Sequence, residues 1–273
     1  MSGSIVGKIL HYLINNSFHL SIFPFFHLSI CHSMNPDEIL KQLEPLADPE
    51  YRKTVALFAP QEPSKEGGEW TTLGVRAPEL REFEKSLFAT LRSEQDYRAA
   101  LALTDVAFIR RQRELAVIGV EALAKLKKYW EFDLLGHVRH WIPQISDWSI
   151  CDTVGYLLGL MILNGVITVD NIHDLKDHPS IWGQRVLIVA LILPLRKGFG
   201  DVDAYLATIS FFNGRREKSI IKAVSWALRE GTKSQPEKIK AYIERYSNEL
   251  HSTILREVRT KLEKGVKSVK RGK

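Results

Sequence analysis

The chain has 273 residues, 45% of them hydrophobic and 26% charged, the balance of a soluble globular protein with enough length to bury a sizeable core. Its formal charge of +6 and pI near 9.2 permit a polyanionic partner without requiring one. Its two cysteines, Cys31 and Cys151, stand far apart, which argues against a disulfide framework or a zinc knuckle and fits a reducing cytosol.

Residues 1–33 differ from the rest. Phe18-His19-Leu20-Ser21-Ile22 is nearly repeated as Phe26-His27-Leu28-Ser29-Ile30, and Lys8 carries nearly all the charge. A transmembrane helix wants about 20 uninterrupted apolar residues, and Pro24 and the histidines break the run. Lys8 could open a secretory signal, but no small-x-small cleavage site is clear near Cys31-His32-Ser33. The stretch reads as an appendage outside the fold. Residues 34–273 read as one helical domain.

That domain opens on a helix start at Met34: Asn35 can cap, Pro36 suits the first turn, and Asp37 and Glu38 complement the dipole. From there the apolar residues recur with period 3.6 almost throughout. Helices are expected over 35–46, 48–59, 77–92, 94–104, 107–127, 129–142 and 147–163. Further ones are expected over 167–175, 179–197, 201–213, 215–231, 236–248 and 250–267. Alternating strand patterns are almost absent. The clear loop runs from Gln61 to Glu69, with Pro63, Gly67 and Gly68. Short connections force sequence neighbours to pack together. The segments Val154–Val169, Val186–Leu195 and Ile220–Leu228 are apolar on most of their surface, so they need cover on several sides. Amphipathic helices paired with more buried ones predict an all-α chain built as an α-solenoid. No sequence period marks the repeat, so a plain helical bundle shares the pattern.

Four segments could carry chemistry. In Ser146-Asp147-Trp148-Ser149-Ile150-Cys151-Asp152, Trp148 and Asp152 stack one turn apart on a helix face. An acid at the edge of an apolar helix caps something, pairs with a base, or works; the same spacing suits a structural acid beside a core tryptophan. In Ile181-Trp182-Gly183-Gln184-Arg185, Arg185 could pair with an acid such as Asp152 or reach a phosphate, and Trp-x-x-Arg is also a common packing device. In Ser225-Trp226-Ala227-Leu228-Arg229-Glu230, Trp226 lies on an apolar helix face between Lys222 and Arg229, a place that also suits a core tryptophan. In Thr72-Leu73-Gly74-Val75-Arg76-Ala77-Pro78, a Gly-containing loop before a helix start suits backbone amides and Arg76 facing an anion, or an ordinary helix entry. Arg215, Arg216, Lys218 and Lys222 cluster beside the Trp226 helix, and the C-terminal tail is basic. No Walker loop, dinucleotide fingerprint, His-x-x-x-His pair or nucleophile elbow is present.

Taken in order, these four motifs resemble the DNA alkylation repair family, the HEAT-repeat alkylpurine DNA glycosylases of AlkD type, from the Thr72–Arg81 stretch to the C-terminal helix. The resemblance implies HEAT-like helical pairs curved into a concave, basic groove that holds duplex DNA. It implies excision of cationic alkylated purines such as 3-methyladenine and 7-methylguanine, without metal or cofactor. Asp152 would match the catalytic aspartate, Trp148 and Trp226 the two tryptophans at the lesion, and Arg185 a DNA-contacting arginine, with Arg76, Arg216, Lys222 and Arg229 as further phosphate contacts. The expected partner is double-stranded DNA containing alkylated purines, met by a monomer in the cytoplasm at the nucleoid, with no membrane involved. The alternative is a non-catalytic HEAT-like module that binds branched or damaged DNA.

Overall fold

A computed structural model describes residues 34–58 and 69–266. The expected appendage over 1–33 and most of the Gln61–Glu69 loop lie outside the described residues.

The described residues hold thirteen α-helices and four 3-10 segments joined by turns and loops. In chain order the helices are α1 (Pro36–Leu43), α2 (Pro49–Phe58), α3 (Ala77–Phe88), α4 (Glu94–Arg110), α5 (Arg113–Lys125), α6 (Leu134–Trp141) and α7 (Trp148–Leu163). They continue as α8 (Ile181–Ala190), α9 (Ile192–Lys197), α10 (Val202–Ser210), α11 (Lys218–Gly231), α12 (Pro236–Arg245) and α13 (Ser252–Lys264). No strand is present among the described residues; the only bridges are single ones, Ala47 with Val75 and Thr71 with Gln112.

Local chemistry accounts for most boundaries. Asn35 caps α1 by accepting from the amides of Asp37 and Glu38, Ser93 and Asp96 form a capping box at α4, and Asp201 caps α10. The expected break at 105–106 is instead at Arg111, which takes the left-handed conformation, φ +50°. Gln112 then caps α5 through its side chain. Residues 179–197 are not one helix. The chain turns at Leu191, and Pro194 three residues on lacks the N–H that a continued helix would donate. The expected 167–175 helix is a 3-10 helix over Val169–Asp177.

The helices pair along the chain, α4 with α5 and α12 with α13, while the 3-10 helix backs α8. Five helices then stack on one another in sequence order: α5 on α7, α7 on α8, α8 on α11, and α11 on α13. That ordered stacking is the pattern of a HEAT-like solenoid, in which each unit covers the apolar face of the next. It explains why α7 and α8 are apolar nearly all round: Ile150, Val154, Leu158, Met161, Val186 and Ile188 are all buried, in a core shared by neighbours on several sides. No described helix is long and apolar enough to cross a membrane.

Two glycines set how closely the row packs. A Cβ at Gly155 would lie 2.7 Å from Val189, and one at Gly159 would lie 2.8 Å from the Ala190 carbonyl oxygen. Both glycines share the α7 face that carries Asp152, at i+3 and i+7 from it. The close approach of α7 to α8 is what puts Asp152 within reach of Arg185.

Candidate active site

α7 starts at a built cap. Asp147 is fully buried, and its Oδ1 accepts from the amides of Ser149 at 2.8 Å and Ile150 at 3.2 Å. Trp148 is therefore the first residue of the helix, and its side chain is 42% exposed rather than in the core. One turn on, Asp152 faces α8. Arg185 donates from Nε to Oδ1 at 2.9 Å and from Nη2 to Oδ2 at 3.0 Å, a bidentate fork. Its third nitrogen, Nη1, donates to the carbonyl oxygen of Ser219 in the first turn of α11. One guanidinium thus joins three successive helices of the row.

The Asp152 side chain is 19% exposed and that of Arg185 6%. Burial pushes the Asp152 carboxyl above its usual range, the Arg185 fork and charge pull it down, and the nearby Asp147 adds to the rise; the net direction is upward. The Arg185 fork favours the ionised carboxylate, in a setting where that charge is poorly solvated. Such an anion gains more than a surface carboxylate would when a positive charge forms beside it.

Ser219 leads to the second aromatic. Lys222, Trp226 and Arg229 follow it at i+3, i+7 and i+10, along one stripe of α11. Lys222 is exposed and Trp226 is half-buried against the core. At 1.5 Å per residue, Trp226 stands roughly 10 Å along the helix from the carbonyl that Arg185 holds. Arg216, in the loop before α11, is exposed, and its Nη1 reaches the carbonyl oxygens of Arg215 and Glu249.

Other expected contacts are placed differently. Arg185 is turned inward with its donors on Asp152 and Ser219, so it stands as the partner of Asp152 and not as an outward-facing group. Arg229 is also mostly buried, with Nε on Ser225 Oγ at 3.3 Å and 3.5 Å from Glu257 of α13. Arg76 stays half-exposed but is paired with Asp48, 2.6 Å away, and lies over the Tyr51 ring. The anion that the Leu73–Val75 amides face is the protein's own Glu114, buried, whose Oε1 accepts from the Thr72 hydroxyl at 2.7 Å and from the Leu73 and Gly74 amides at 3.0 Å. Trp182 lies in the core.

Sequence reasoning missed two features. Tyr156, one turn beyond Asp152 on α7, is exposed; the 148, 152, 156 spacing was its signal. The Arg113–Asp147 pair was missed as well, because Arg113 is 34 residues from its partner and no local pattern joins them.

Among the described residues no group of three or more His, Cys, Asp or Glu side chains is arranged to hold a metal ion. None of the curated proteins compared matches the chain. Among solved structures, the chain is similar to one described as a predicted DNA alkylation repair enzyme from Enterococcus faecalis. The TM-score is 0.64 at 19% identity, over 80% of this chain and 97% of that one, a likeness of fold. The model of the DNA alkylation repair enzyme family matches residues 39–262, a span that runs from within α1 into the last turn of α13. The chain belongs to the DNA alkylation repair enzyme family.

Proposed function

We propose that the protein is a DNA glycosylase that hydrolyses the N-glycosidic bond of N3- and N7-alkylated purines, such as 3-methyladenine and 7-methylguanine, in duplex DNA, the first step of base excision repair. The observation that carries this reading is the Asp152 carboxylate, held by both oxygens, poorly solvated, and one turn from the exposed Trp148.

Breaking an N-glycosidic bond passes through an oxocarbenium-like sugar. An alkylated purine is already cationic and leaves as a neutral base, so no general acid is required. What the transition state needs is a fixed negative charge near the sugar and a directed water. Arg185 occupies one edge of the Asp152 carboxylate and leaves each oxygen a lone pair for that water. The ring of Trp148 favours a cationic nucleotide by about 0.5–2 kcal/mol, which discriminates damaged from normal purines, and Trp226 supplies a second ring. Lys222 and Arg216 are exposed on the Trp226 side and serve as phosphate contacts, which makes binding steeply salt-dependent. Arg76 serves only by leaving Asp48.

The test is release of 3-methyladenine and 7-methylguanine from methylated duplex DNA, by the wild type and by Asp152→Asn. Release lost in the variant with duplex binding retained supports the reading. The inward-turned Arg185–Asp152 pair also suits a purely structural acid, and therefore a non-catalytic module for branched or damaged DNA. Salt-sensitive binding without release by the wild type selects that second reading.

A further inference from the structure

A second guanidinium–carboxylate pair lies just behind the first. Arg113, the first residue of α5, donates from Nη2 to Asp147 Oδ2 at 2.7 Å, from Nη1 to Oδ1 at 3.3 Å, and from Nη1 to the Ser149 hydroxyl. Asp147 is fully buried and the Arg113 side chain nearly so. The pair is anchored from behind: the Arg113 amide donates to the Thr71 carbonyl oxygen at 3.0 Å, and the Thr71 amide to that of Arg111 at 2.8 Å.

Capping α7 does not call for this arrangement. A serine or asparagine would satisfy the same two amides. A fully buried ion pair is no more stabilising than well-packed neutral groups, and is often less so. What the pair supplies that a neutral cap does not is charge, placed five residues before Asp152, together with a rigid start to the turn that carries Trp148.

We propose that Arg113 and Asp147 are positioning residues that fix the first turn of α7 and tune the charge of Asp152; the role in base release rests on the glycosylase reading. The groups facing Asp152 are few. Arg185 comes from α8, with the Ser219 carbonyl of α11 behind it; Asp147 and the buried Cys151 thiol come from α7 itself; Arg113 of α5 lies beyond Asp147. Arg185 favours the ionised carboxylate, while burial and Asp147 oppose it. The Asp147 charge is therefore felt at Asp152, and Arg113 acts on it only through its pairing with Asp147.

The experiment titrates the Asp152 carboxyl carbon by NMR in the full chain and, in parallel, follows 7-methylguanine release from methylated duplex DNA against pH. Asp147→Asn keeps the cap, removes a negative charge and leaves Arg113 positive, so the Asp152 midpoint moves to lower pH. Arg113→Gln leaves Asp147 uncompensated, so the midpoint moves to higher pH. The two shifts run in opposite directions, and the acid limb of release follows. Arg113→Lys, which keeps the charge, leaves the midpoint with the wild type and serves if Arg113→Gln does not fold. A merely structural cap lowers the melting temperature of the variants and leaves the Asp152 midpoint unmoved, which overturns the proposal. Split midpoints in a protein that releases no base sustain the positioning role and sink the glycosylase reading; release with unsplit midpoints does the reverse.

Discussion

Arg185 and Asp152 meet edge to edge, with N–O separations of 2.9 and 3.0 Å, and Arg185 carries its third nitrogen on to Ser219 of α11. The pair is one rung of a polar ladder that crosses the stacked helices: Arg113 to Asp147 joins α5 to α7, Arg185 joins α7 to α8 and α11, and Ser225 donates to Glu257 at 2.6 Å to join α11 to α13. Removing one partner of such a pair leaves the other charge buried. Arg185→Met is therefore expected to lower stability by about 3 kcal/mol, the low end for a broken buried pair, because Asp152 keeps some solvent. Arg185→Lys keeps the charge but not the planar fork, and falls between the two. Urea unfolding reads this directly; an Arg185→Met midpoint equal to that of the wild type contradicts it.

The closeness of α7 and α8 gives a second expectation, because Gly155 is in contact with Val189 three residues from Asp152. Gly155→Ala puts a methyl where 2.7 Å is available and wedges the helices apart. Overpacking of this kind costs about 1–3 kcal/mol, and here it also misaligns the Asp152 carboxylate with its fork. Base release is expected to fall by more than duplex affinity does. Adding Val189→Gly removes both atoms that crowd the methyl, Cβ and Cγ1, so the double variant recovers much of the lost rate, although a glycine inside α8 itself costs about 1 kcal/mol of stability. A double variant no better than Gly155→Ala refutes the wedge.

Glu114 offers a test away from Asp152. Beside the Thr72, Leu73 and Gly74 donors, its Oε2 accepts from Gln112 Nε2 at 2.8 Å. Gly74 next to it has φ +80° and lies against Asp48 and Arg52, where a Cβ would come within 2.6 Å of a carbonyl oxygen. The loop therefore cannot settle elsewhere on the same surface. Glu114→Ala strands several buried donors and is expected to cost about 3 kcal/mol or more. Hydrogen exchange at the Leu73 and Gly74 amides should quicken well beyond the global change. Uniform acceleration across the chain would show that the carboxylate does not hold this loop in particular.

What the sequence made legible follows from the range of each signal. Periodicity reports burial over a few turns, so the all-helical fold and α7 itself were readable, and Trp148 through Leu163 begins and ends as expected. The break at Arg111 was misplaced because a left-handed arginine carries none of the Gly or Asn signature of a helix end. Trp148 and Asp152 were visible as an i,i+4 pair, and the direction in which each points was not. Arg185 was read as a group that reaches either Asp152 or a phosphate. Choosing between them needed the α7–α8 approach set by Gly155 and Gly159, which no local pattern encodes. Glu114, Asp147 and Arg113 are unremarkable charges in the sequence and become specific only when segments more than 30 residues apart are brought together.

Glu84 on α3 gives the clearest pH dependence. It is buried, its Oε1 has no hydrogen-bond partner, and desolvation together with the charge of Glu121 pushes its carboxyl from the ordinary 4.5 up to about 7, with Arg81 opposing. Burial raises Glu121 in the same direction. Between pH 4.5 and about 7 the folded chain keeps a proton on Glu84 that the unfolded chain has lost. The folded state binds more protons there, so stability falls as pH rises. The Glu84 contribution is fully present below pH 4.5 and gone once pH has passed about 7. A displacement from 4.5 to about 7 corresponds to roughly 3 kcal/mol at full ionisation. Glu84→Gln holds the neutral shape at every pH. Its stability relative to the wild type is therefore expected to grow by a few kcal/mol between pH 5 and 8 in urea unfolding, with the mutated side chain as the only difference. A gap between the two proteins that stays constant over that interval would mean that Glu84 is already charged, and stably so, in the folded chain.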